Sequence, residues 1–232
     1  MTHAGIDGYS RLIVYIHCSP NNKASTVYNL FLGAVDRFGL PSRVRSDQGG
    51  ENVAVAQCML ERRVDRGSML TGSSTHNQRI ERLWRDLHRC VGVLYYRLFY
   101  HLENLGLLDP TNDRHIYALH YIYLHRINQS LHAFRDAWNY HKIRTEHDRT
   151  PHQLFTRGML QLQSSGLAAV DFFTEIDHQY GVEEEGLLPE IEGVVIPEVH
   201  FKLTEEHYRR LSMKLIVSAQ VKTMQQISMS KL

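Results

Sequence analysis

Two acidic side chains have the surroundings that metal-assisted chemistry needs. Asp47 lies in Arg45-Ser46-Asp47-Gln48-Gly49-Gly50-Glu51-Asn52, and Glu81 follows 34 positions later in His76-Asn77-Gln78-Arg79-Ile80-Glu81-Arg82-Leu83-Trp84-Arg85. A run ending in Val44 precedes the first, glycines follow it, and Val53-Ala54-Val55-Ala56 begins a helical pattern. That order puts Asp47 at the carboxyl end of a strand, where an open α/β sheet keeps its chemistry. Glu81 falls in the first turns of a helix. Mg²⁺ takes oxygen ligands, usually one or two carboxylates with phosphate and water. Two such ions can activate an attacking oxygen and stabilise a leaving one during in-line displacement at phosphorus. Each residue also has a plainer role. Asp-x-Gly-Gly is good turn chemistry, and Glu81 with Arg85 makes an i,i+4 pair worth a few tenths of a kcal/mol.

The elements that would position them can be read from periodicity. Leu12-Ile13-Val14-Tyr15-Ile16 is a buried strand in pattern, Asp7-Gly8 before it is a turn, and residues 2 to 6 supply a hairpin partner. Ala24, Val27, Leu30, Phe31, Ala34, Val35 and Phe38 recur at helical spacing until Gly39. A helix is expected over 51–63 and a short strand over 68–70. A long helix carries Ile80, Leu83, Trp84, Leu87, Val91, Leu94, Tyr95, Leu98 and Leu102 as one core stripe. Two further helices are expected, at roughly 115–124 and 131–140, and a short one opens at Pro151. Gly181 to Gly186 is acidic and reads as a solvated linker.

Bulk properties exclude several classes. The chain has 232 residues, 43% hydrophobic and 22% charged, as in an ordinary soluble globular protein. It has no apolar run long enough for a membrane span and nothing like a signal peptide at Met1. The three cysteines read as reduced thiols of an intracellular protein. The 15 histidines lack zinc-ligand spacing, so no zinc is expected. A net charge of +1 says little by itself, but arginines crowd around the carboxylates. Arg79, Arg82, Arg85 and Arg89 recur at helical steps, most of them on one face, suited to phosphates.

The segments around Asp47 and Glu81 resemble the second and third acidic motifs of the retroviral integrase catalytic core, a ribonuclease H-like polynucleotidyl transferase. Ile6-Asp7-Gly8-Tyr9-Ser10-Arg11, Phe38-Gly39-Leu40-Pro41, and Trp138-Asn139-Tyr140-His141 with Thr150-Pro151 resemble three more family pieces, in order, across roughly residues 4 to 157. The chain is most similar to integrase-core-like proteins of animal genomes derived from transposable elements. The resemblance implies an α/β fold with a ribonuclease H-like mixed sheet flanked by helices. It implies an Asp-Asp-Glu (DDE) site binding Mg²⁺ or Mn²⁺, with Asp47 second and Glu81 third. The family's first aspartate lies on a strand upstream of the one Asp7 opens. The sheet is therefore expected to lack its first strand and the site its first carboxylate, with Asp7 the available substitute. The expected organisation is a catalytic core over 1–157, incomplete at its amino end, and a partly helical extension over 158–232. Gln78 and the four arginines would face DNA, a homodimer is possible, and a DNA partner implies the nucleus. The expected function is DNA integration by metal-dependent cleavage and strand transfer. The alternative is a domesticated, catalytically impaired module that binds DNA or protein.

Overall fold

In a computed structural model, the described residues are 1–47, 49–63, 67–71, 78–165 and 204–206. The chain begins with a hairpin, β1 (Thr2–Ile6) against β2 (Ile13–Cys18), antiparallel with Thr2 opposite Cys18 and Ala4 opposite Ile16. Asp7 shapes the turn, because its Oδ2 accepts from the Ser10 amide at 2.7 Å and the Ser10 hydroxyl at 2.6 Å. Arg11 completes the turn at φ 66, a conformation that costs a non-glycine residue strain.

Helix α1 (Ala24–Phe38) buries Val27, Phe31 and Ala34, and Gly39 ends it at φ 86 with its amide on the Val35 carbonyl. Strand β3 (Val44–Ser46) then pairs in parallel with β4 (Met69–Thr71), Val44 opposite Met69 and Ser46 opposite Thr71. Between them a 3₁₀ turn, Gly50–Asn52, runs into α2 (Val53–Arg62). Val27 and Phe31 of α1 pack with Val55, Cys58 and Met59 of α2 as one core cluster.

A second cluster joins β2 to the helices that follow. Helix α3 (Gln78–Leu87) passes through a π-turn (His88–Gly92) into α4 (Val93–Asn104). Leu83, Leu87 and Val91 meet Ile13, Ile16, Cys18 and Leu131, with Trp84 and Tyr95 at the margin. The π-turn explains a departure from the expected stripe: Leu94 is 64% exposed. The wider turn delays the helix by part of a turn, so Leu94 swings outward while Tyr95 stays inside, its hydroxyl 3.0 Å from Ser130 Oγ.

The two helices expected near 115–124 and 131–140 are one, α5 (Asp113–Tyr140), opened by Asn112, whose side chain accepts from the Arg114 amide at 3.0 Å. No glycine or proline interrupts that stretch, so the helix continues. Its amides grip the outer edge of β2. Asn139 Oδ1 accepts from the Ile13 amide at 2.8 Å and Nδ2 donates to the Ile13 carbonyl at 3.1 Å. Asn128 does the same to Cys18, at 2.8 and 2.9 Å. Eleven helical residues and five strand residues both cover about 16.5 Å, so the two grips fall in register. Helix α6 (Pro151–Ser165) is longer than the short helix expected from Thr150-Pro151.

The α/β class is as expected, but the single mixed sheet is not what the described residues show. They form two sheets of two strands each, and β3 and β4 are three residues long, so the parallel pair is small. The acidic stretch 181–186 and nearly all of the extension beyond 165 lie outside the described residues.

Candidate active site

Asp47 directly follows β3 and is exposed. Its Oδ1 accepts from Asn52 Nδ2 at 2.9 Å, and its carbonyl accepts from the Ser46 hydroxyl at 2.8 Å. The turn is tight because Glu51 folds back over Gly49: a Cβ on Gly49 would lie 2.6 Å from the Glu51 carboxylate oxygens. Glu51 Oε2 accepts from Asn22 Nδ2 at 3.5 Å, which brings the loop after β2 beside the turn after β3. That loop is itself ordered by Asn21, whose Oδ1 accepts from the Thr26 hydroxyl at 2.7 Å and the Lys23 amide at 3.1 Å. The aspartate therefore sits on a turn braced from two sides, with its carboxylate facing water.

Glu81 lies in the first turn of α3 and is exposed. It comes ten residues after Thr71, the last residue of β4. Since β3 and β4 are parallel and in register, their carboxyl ends lie at the same end of the pair, and both carboxylates descend from that end. The connection 72–77 lies outside the described residues. Among the described residues no three His, Cys, Asp or Glu side chains gather as a metal site. Gln78 opens α3, with its side chain outside the description, and Arg79, Arg82, Arg85 and Arg89 are all exposed. Trp84 belongs to the core margin.

Asp7 has a different setting. Its carboxylate is committed to the Ser10 turn, and the next residue, Arg11, pairs with Glu146 at 3.0 Å. Trp138 Nε1 donates to the Arg11 carbonyl at 2.9 Å. Sequence reasoning did not single out Asn52 or Asn128. Asn52 carried one signal, five positions after an aspartate at a glycine turn. Asn128 carried another: eleven residues is three helical turns, which put it on the Asn139 face.

Histidines lie close behind the braced loop. His3 is buried and within 3.3 Å of the Asn21 carbonyl. Burial pulls its pKa below the usual 6.5, against the opposing effects of that carbonyl and of Glu51. His17, its cross-strand neighbour, is lowered too, first by burial and then by His132 and His3.

A family model described as an integrase core domain matches residues 1–169. No curated protein and no solved structure matches the chain. Among the described residues no helix is long and apolar enough to cross a membrane.

Proposed function

Because the chain belongs to the integrase core domain family, an integrase- or transposase-like function follows for it, and we propose that Asp47 and Glu81 serve phosphodiester cleavage and strand transfer on DNA. The observation that supports this is their placement, both exposed and both descending from the carboxyl ends of one parallel strand pair. Their donor sets suit a hard divalent ion, since each offers carboxylate oxygens to water and neither is taken up by a cation among the described residues. Such an ion, bound by Asp47 and Glu81, would supply charge stabilisation at the attacking and leaving oxygens. The chain's own residues do the rest. Asn52 fixes the Asp47 rotamer, and Arg79, Arg82, Arg85 and Arg89 offer charge to phosphates, with Gln78 at the start of the same helix.

The test uses labelled duplex DNA with Mg²⁺ or Mn²⁺ on a denaturing gel, which separates shortened strands from joined ones. Asp47→Asn and Glu81→Gln each reduce both products to background, and Asn52→Ala lowers them by about 10-fold as a supporting residue. Products that survive the first two substitutions overturn the ligand assignment. Tight binding without any product would favour the impaired, binding-only reading.

A further inference from the structure

The π-turn has an effect on charge as well as on packing. Arg82 and Arg85 of α3 and Arg89 of the π-turn lie on the side that faces away from Leu83 and Leu87, and all three are exposed. Arg97 of α4 is exposed as well. In an uninterrupted α-helix, eight residues of rotation would set Arg97 about 80° away from Arg89. Three residues of the π-turn, Cys90–Gly92, lie between them and take back most of that angle. The exposure of Leu94 and the inward position of Tyr95 record the same rotation. Arg97 therefore joins the arginine row opposite the core. From Arg82 to Arg97 the row runs roughly 22 Å, about six base-pair steps of a duplex.

Among the described residues none of these four arginines has a carboxylate partner. Like charges in one row repel, and a row of arginines that form no ion pairs is the footprint of a polyanion. We propose that Arg97 extends the phosphate-binding face of α3 beyond the π-turn, so that one ridge from Arg82 to Arg97 tracks the backbone of duplex DNA. The proposal rests on the DNA reading given above and adds the path and length of the contact.

The measurement is the salt dependence of binding to a labelled duplex, made with the full chain across about 50 to 200 mM salt, the range over which phosphate contacts declare themselves. Arg97→Gln and Arg85→Gln should each lower the slope of log K against log salt by about 0.9, one phosphate apiece. Arg126→Gln removes the same charge from an exposed position on α5 and should leave the slope unchanged. If Arg85→Gln lowers the slope and Arg97→Gln does not, the ridge ends at the π-turn and the inference fails while the DNA reading stands. An equal drop in all three variants means bulk charge and overturns the inference as well. No binding by the parent chain removes both readings.

Discussion

The two halves of α5 have similar compositions and different circumstances. From Asn128 onward the helix is fastened to β2 by two side-chain amides, and Leu131 is 2% exposed within the main core. From Asp113 to Ile127 no residue is buried. That half reaches the core only at its margin, through Leu124 and Ile127, and Tyr123 meets Phe99 of α4 with ring centroids 5.2 Å apart and planes at 70°. Aromatic content is high in both halves, so composition does not decide which one anchors the fold. What decides is whether a sheet edge lies alongside to be gripped. Local stability should follow contact and burial rather than helix length.

The largest effect should come from breaking the grip. Asn139→Leu keeps a side chain of similar size but leaves the buried Ile13 amide and carbonyl without partners. A loss of about 2–6 kcal/mol is expected, from two buried groups at roughly 1–3 each, measured by urea unfolding. A loss below about 1 kcal/mol would mean that the amide pair is incidental. In the other half, Tyr123→Leu removes an edge-to-face pair and should cost only about 0.5–1.5 kcal/mol. Amide exchange should rise in residues 113–127 and stay slow in β2, and equal acceleration in both would erase the contrast between the halves.

The smallest effect is that of pH. Burial lowers the pKa of His3 on β1, of His17 on the gripped strand β2, and of half-buried His120 in the first half of α5. Each is more easily protonated in the unfolded chain, at 6.5, than in the folded one. Their contribution is present above pH 6.5 and is lost as pH falls below it towards the folded values. Acidification from pH 7 to 5 should therefore lower Tm, and His17→Gln should flatten that dependence for exchange in β2. His120→Gln should flatten it only in residues 113–127. The assignment fails if both variants retain the parent's pH profile throughout.

Some of this was legible in the sequence for simple reasons. Helix α1 is announced by apolar residues at steps of three and four and closed by Gly39, which takes a positive φ. The hairpin follows from Asp7-Gly8 between apolar runs. Asp47 could be placed because a short strand and a glycine turn are local features. The π-turn was not legible, since Leu87, Val91, Leu94 and Tyr95 satisfy an ordinary helical stripe equally well. Its one extra residue is a tertiary choice that keeps Tyr95 beside Ser130. The asparagine grips were hidden for a different reason. Apolar periodicity is blind to a polar residue whose partner is a backbone 110 or 126 positions away. As for the candidate site, its residue types and strand ends were readable, whereas the brace from Asn52 and Asn22 was not.

The asparagine grips also determine how the hairpin sheet can be enlarged. Each side-chain amide turns one N–H and its carbonyl oxygen toward β2, the same pair that a neighbouring strand's peptide unit would present. By occupying Ile13 and Cys18, Asn139 and Asn128 terminate the sheet on the β2 side much as an edge is blunted against aggregation. Growth has one direction left. Any additional strand joining this hairpin, whether from the same chain or another, must add along Thr2–Ile6.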